Sequence, residues 1–154
     1  MKRVLLLLLT LTLGACKPLS SEGLNKISLS AEYYNNQEIS EISEKETYLS
    51  LIDEQKSFIL YAYSPSCYGC SLFTPYIEQF VSKENISIFK IQPSVIKETD
   101  LVQVFKFTPS VAIFSDGKFY VLLDPTSEKD ADYFDSSAQF TTWVYTYVKP
   151  FSNT

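Results

Sequence analysis

The sequence predicts an α/β protein, a sandwich in which helices flank a mixed central sheet. Three observations lead to that class. Short apolar, β-prone runs alternate with patterns of helical period. One of those runs is apolar throughout, which suits a central strand buried on both faces. The last two runs are joined by Asp116-Gly117, a strong hairpin signal.

Taken in order, residues 38–55 (EISEISEKETYLSLIDEQ) open with a short strand ending near Ile42. Ser43 and Glu46 then have the spacing of a capping box, and a helix follows with Tyr48, Leu51 and Ile52 on one face. SFILYAY (57–63) is the central strand. A second helix begins just past Cys67 and carries Leu72, Tyr76, Ile77, Phe80 and Val81 at helical spacing. ISIFKIQ (86–92) reads as a strand and ETDLVQVFK (98–106) as a short helix. SVAIFSDGKFYVLL (110–123) is the hairpin. Phe140, Trp143, Val144, Tyr147 and Val148 form the apolar stripe of a C-terminal helix.

Composition excludes several chemistries. The chain has 154 residues and no histidine, so Ser-His-Asp and Cys-His nucleophile pairs are absent, as is every His-dependent metal site. Its three cysteines are Cys16, Cys67 and Cys70. A closed structural zinc site needs four ligands, so one Cys pair cannot build it and no metal is expected. The formal charge of −5 argues against nucleic acid and against electrostatic adhesion to anionic lipid. The acidic group Glu128, Asp130, Asp132 and Asp135 lacks the glycine and spacing of a calcium loop and reads as solvated charge.

The N-terminus speaks to location. MKRVLLLLLTLTLGAC has Lys2 and Arg3, then an apolar run from Val4 to Leu13, then small residues before Cys16: the layout of a secretory signal. The run falls well short of the roughly 20 residues that span a bilayer. LGAC resembles the bacterial lipobox, in which the cysteine becomes the lipidated first residue of the mature chain. The plainer alternative is an ordinary signal peptide that ends near a cysteine. Diacylglyceryl lipid on Cys16 supplies two chains, enough for stable membrane anchoring. The expected organisation is a lipoprotein signal peptide over 1–15, Cys16 and a tether over 16–36, and one domain over 37–154. Twenty flexible residues span about 25 Å, which keeps the domain near its membrane. Tyr33-Tyr34, packed on the domain, is the alternative to a tether that runs to its end.

The remaining motif is YSPSCYGCSLFTP (63–75). A C-x-x-C at the exit of an apolar strand, Pro75 five residues after Cys70, and Phe107-Thr108-Pro109-Ser110 followed by VAIF and DGK together resemble a thioredoxin-fold protein from about residue 38 to 148. The narrower resemblance is to thioredoxin-like lipoproteins of low-GC bacteria and to bacteriocin-associated thioredoxin-like accessory proteins. The resemblance implies a thioredoxin-like three-layer sandwich and a redox disulfide in which Cys67 attacks and Cys70 resolves. It also implies a cis Thr108–Pro109 bond facing the cysteines and a groove, lined by Thr108, Pro109, Tyr68 and Tyr63, for a cysteine-bearing peptide. No organic cofactor is implied. The partners implied are cysteine-containing exported proteins or peptides and a separate redox partner.

Two departures from the family pattern concern the proton. Thioredoxins carry a buried carboxylate six residues before the first cysteine, where this chain has Tyr61; the family's lysine persists as Lys90, without its acidic partner. Proton transfer to and from Cys70 then falls to Tyr61, Lys90 or water.

Physical chemistry favours reactive cysteines independently of the family. A cysteine at a helix N-terminus meets unpaired N–H groups and the positive end of the helix dipole, which stabilise the attacking thiolate. In an oxidising exported setting such a pair cycles or stays oxidised. A static disulfide is the competing reading, but a loop this small restricts the unfolded chain little. A non-catalytic thioredoxin-like binding module of a secretion or bacteriocin system is the competing function, and Tyr61 is the residue that favours it.

Overall fold

The computed structural model describes residues 25–151; the leader, Cys16 and the first part of the expected tether lie outside them. Five strands form one sheet: β1 (Ile39–Ile42), β2 (Phe58–Ala62), β3 (Ile88–Ile91), β4 (Ser110–Ser115) and β5 (Lys118–Leu123). Their order is β1-β3-β2-β4-β5, with β3 parallel to β1 and β2 and with β4 antiparallel to both β2 and β5. Four α-helices are α1 (Lys45–Asp53), α2 (Tyr68–Glu84), α3 (Pro93–Ile96) and α4 (Ser137–Tyr147). The sheet is mixed and flanked by helices, as expected.

Alternation along β2 divides the core. Ile59 and Tyr61 face one layer with Phe73, Ile77, Phe80, Phe140 and Trp143, from α2 and α4. Phe58, Leu60 and Ala62 face the other with Tyr48, Leu51, Val95, Ile96 and Leu101. All five residues of β2 are buried because β3 and β4 cover its edges and a helical layer covers each face. The Asp116-Gly117 turn forms, with φ of 51° and 70° at the two residues. A Cβ at Gly117 would also run into the carbonyl oxygen of Ile52.

Several expectations are corrected. The capping box at Ser43 does not form: α1 begins at Lys45, its N-cap is Glu44, and that residue makes no side-chain cap bond. In α2 the buried stripe is Cys70, Phe73, Ile77, Phe80 and Val81, while Leu72 is 54 % exposed. The 70–73–77 spacing sets the helix phase and turns Leu72 outward. ETDLVQVFK holds only a 3-10 turn at Asp100–Gln103, and the one-turn helix α3 precedes it.

The chain is packed from Ile27 onward, and of the two readings of this stretch the structure has Tyr33-Tyr34 packed on the domain. Ile27 pairs with the chain after α4, donating to Tyr147 O and accepting from Lys149 N, both at 2.8 Å. Ser30 N–H donates to Ser57 O at 2.9 Å. The hydroxyl of Tyr34 accepts from Leu29 N–H at 2.9 Å and donates to Lys149 O at 3.0 Å. Leu29 and Tyr34 are buried, and the apolar area they remove from water offsets the ordering of this strap.

Candidate redox site at the start of helix α2

Helix α2 begins where β2 delivers the chain to the rim of the sheet. Cys67 is its N-cap, and Sγ accepts a hydrogen bond from Cys70 N–H at 3.1 Å. The sulfur therefore lies at the end of the helix where unpaired amides and the dipole favour negative charge. The two sulfurs are paired as a disulfide, with a Cα–Cα separation of 5.2 Å. Their surroundings differ. Cys67 is partly exposed, whereas Cys70 is 2 % exposed and belongs to the buried face of α2.

The loop before β4 closes over the pair. Thr108–Pro109 is cis, and the carbonyl oxygen of Thr108 lies 3.3 Å from Cys67 Sγ, in reach of a proton on a reduced Cys67 thiol. Pro109 is buried, and a Cβ built on Gly69 would come 3.1 Å from its Cδ. A side chain at Gly69 would thus press on Pro109. Tyr68, the other intervening residue, is 77 % exposed. A hollow of about 330 Å³ lies on the Thr108 side, between Pro93, Ile96, Phe105 and the exposed Phe107. A second, of about 360 Å³, lies on the Pro109 side against α2.

The proton-handling candidates lie below. Tyr61 is 1 % exposed, and its hydroxyl shares a 3.0 Å hydrogen bond with Thr74 Oγ1, one helical turn beyond Cys70. Burial pushes the Tyr61 phenol above its ordinary value, so it stays neutral at physiological pH. Lys90 has no carboxylate at position 61 to pair with, and a different acid takes that place. Glu41, its register neighbour on β1, stands 3.3 Å from the ammonium. Glu41 also accepts from Tyr63 Oη at 2.8 Å and from Gln92 Nε2 at 2.6 Å. The bonds from Gln92 and Tyr63, then Lys90, hold the Glu41 carboxyl below its ordinary value against the opposing effect of burial. Lys90 Nζ sits 5.0 Å from the centre of the Tyr63 ring.

The structure thus brings Cys67, Cys70, Thr108 and Pro109 together and leaves Tyr68 at their edge. It gathers Tyr63 and Lys90 into a separate polar cluster with Glu41 and Gln92. Sequence reasoning misses Glu41 because parallel pairing of β1 with β3 joins residues far apart in the chain, and local pattern carries no sign of it. Among the described residues no group of three or more His, Cys, Asp or Glu is gathered for a metal.

No family model matches the chain, and no curated protein sequence matches it. Solved structures do. Oxidised thioredoxin from Plasmodium falciparum superposes with a TM-score of 0.56 at 12% identity, covering 73% of this chain and 100% of that one. The chain has the thioredoxin fold. Thioredoxin from Trypanosoma brucei brucei gives 0.53 at 12% identity, over 77% of this chain and 99% of its own. A mutant thioredoxin from Halobacterium salinarum NRC-1 gives 0.51 at 16% identity, over 74% and 96%. In this thioredoxin-like frame the C-x-x-C pair sits at disulfide distance, at the N-terminus of α2.

Proposed function

We propose that this protein is a membrane-anchored, extracytoplasmic thiol–disulfide oxidoreductase acting on cysteines of exported proteins or peptides. The observation that carries the reading is the position of Cys67. Its sulfur is the N-cap of α2, bonded to a buried Cys70 and facing the carbonyl of Thr108. In the reducing direction the Cys67 thiolate attacks a client disulfide, forming a mixed disulfide and releasing one client thiolate, which takes up a proton. Cys70 then loses its proton and attacks Cys67 Sγ, forming the Cys67–Cys70 disulfide and releasing the second client thiolate. The client gains two electrons and the protein's dithiol loses them. The same steps in reverse oxidise a client dithiol, and a separate redox partner resets the pair.

Location rests on the signal-like leader and on Cys16 as the lipidated residue. The strap over 27–34 is compatible with that arrangement. Ser30 bonds Ser57, which precedes β2, and Tyr34 bridges Ile86, which precedes β3, whereas Cys67 follows the other end of β2. The described chain thus joins the domain at the end opposite the disulfide, which supports an anchor on that side. The narrower type proposed is a thioredoxin-like bacterial lipoprotein of the bacteriocin-associated accessory kind.

Tyr61 favours a second reading, a non-catalytic thioredoxin-like binding module. A neutral phenol committed to Thr74 is a poorer proton acceptor than a carboxylate. Cys70→Ala separates the two readings. Without its internal resolver, the mixed disulfide waits for an external thiol. Non-reducing gels of cells carrying Cys70→Ala are expected to show discrete higher-mass bands that vanish with reductant and with added Cys67→Ala. No such bands, together with no reduction of insulin disulfides by the wild type, would transfer the assignment to the binding module.

A further inference from the structure

The hollow on the Pro109 side is built by a part of the chain that the exchange chemistry does not use. After β5 the chain runs through residues 124–136 before α4 begins, and this loop forms the wall facing α2. Phe134 packs on Phe73 with ring centroids 4.8 Å apart, and Leu72 stands exposed beside them. Gly69 and Pro109 line the other side of the hollow, and a Cβ at Gly69 would be 4.0 Å from Cys67 Sγ. The hollow therefore lies next to the disulfide, with Gly69 between them. Its volume of about 360 Å³ is that of a small ligand site and accommodates one bulky side chain. Leu72, out of phase with the buried stripe of α2, contributes apolar lining to it.

The loop is ordered by its own polar contacts. Asp124 N–H donates to Asp130 Oδ2 at 3.0 Å, and Thr126 donates to Asp124 Oδ1 from its amide at 2.8 Å and its hydroxyl at 2.7 Å. Those bonds occupy Asp124 and Asp130. Glu128, Asp132 and Asp135 remain exposed, and none of the ion pairs found among the described residues engages them. Asp135 itself lines the hollow. A largely apolar hollow beside the disulfide thus has one exposed carboxylate, Asp135, in its lining, on a loop whose only basic residue is Lys129.

We infer that this hollow is a specificity pocket for the client polypeptide. It takes an apolar side chain next to the client cysteine, and Asp135 in its lining selects a neighbouring lysine or arginine over an acidic residue. Charge complementarity of this kind acts on encounter and on register. The inference rests on the oxidoreductase reading and adds the substrate class to it.

The test uses the reduced protein in single turnover. Two synthetic peptides carry one cysteine as a mixed disulfide with 2-mercaptoethanol, flanked by Phe and Arg in one and by Ser and Glu in the other. Cys67 attacks, 2-mercaptoethanol or peptide leaves as thiolate, and Cys70 closes the disulfide. Bis(2-hydroxyethyl) disulfide, too small to reach both subsites, is the reference. The wild type is expected to react with the Phe-Arg peptide about tenfold faster than with the Ser-Glu peptide, the scale of one filled apolar pocket. Leu72→Gln and Asp135→Lys are each expected to bring that ratio below about threefold. A wild-type ratio near one, or a ratio that both variants retain, overturns the pocket while leaving the oxidoreductase reading in place, provided that the reference disulfide is consumed. No reaction even with the reference disulfide removes the oxidoreductase reading and the pocket with it.

Discussion

Two helices of this protein begin in the same way and to different ends. In α4 the N-cap is Ser136, whose hydroxyl accepts from Gln139 N–H at 3.2 Å; in α2 it is Cys67, whose sulfur accepts from Cys70 N–H at 3.1 Å. Both side chains satisfy one amide that the first turn leaves unpaired. For Ser136 the capping bond is the whole role the structure assigns. For Cys67 the capping atom is, in the proposed function, also the reactive atom, so the field that orders the helix start would also favour the thiolate. The comparison teaches that a fold can place a nucleophile with an ordinary helix-capping device, provided that a loop such as Thr108–Pro109 faces it and a second thiol lies behind it.

The sharpest way to break the comparison is to exchange the capping atoms. Cys67→Ser keeps a capping oxygen, so its stability is expected to stay within about 0.5 kcal/mol of the reduced wild type. Its disulfide exchange should nevertheless fall by about a thousandfold or more, because the attacking thiolate is gone. Ser136→Ala reverses the pattern, costing about 1 kcal/mol of stability and leaving exchange close to wild type. Urea titrations beside insulin-reduction rates measure both. A Cys67→Ser protein that still turns over, or a Ser136→Ala protein that loses exchange while folded, contradicts the separation.

A smaller effect is expected beneath the site, at Glu41. Its folded carboxyl titrates below the ordinary value of 4.5. A depressed carboxylate contributes stability in full above its unfolded value, and that contribution is lost as the pH falls through the folded value. Glu41→Gln is therefore expected to cost about 0.5 kcal/mol at pH 7, in keeping with a partly exposed ion pair. The gap to the wild type should narrow as the pH is lowered from 4.5. Melting temperatures from pH 3 to 7 check this, and a gap that widens toward acid has the wrong sign.

What can be read from the sequence is local. SFILYAY announces a doubly buried strand, and Asp116-Gly117 announces a hairpin, because neither depends on distant residues. The candidate redox site is legible for the same reason: strand exit, helix start and both cysteines fall within one short stretch, and only Thr108–Pro109 arrives from elsewhere. Phase is lost where one helix offers two apolar stripes, so Leu72 reads as core and Phe73 is passed over. Register is lost where pairing is non-local, which hides Glu41 from Lys90. The strap over 27–34 reads as tether because its partners, Ser57, Ile86 and Val148, lie far along the chain. The hollow beside Pro109 escapes because residues 124–136 read as solvated charge, and Phe134 reveals its contact with Phe73 only in three dimensions.

The central claim is that Cys67, at the helix N-cap and partly exposed, is the nucleophile, while the buried Cys70 resolves. Time-resolved alkylation of the reduced protein with iodoacetamide at neutral pH, with each site mapped by mass spectrometry, tests it most directly. Cys67 is expected to be modified first, about tenfold or more ahead of Cys70, because it combines thiolate character with access. Alkylation of Cys70 first, or of both cysteines at one rate, would contradict the account.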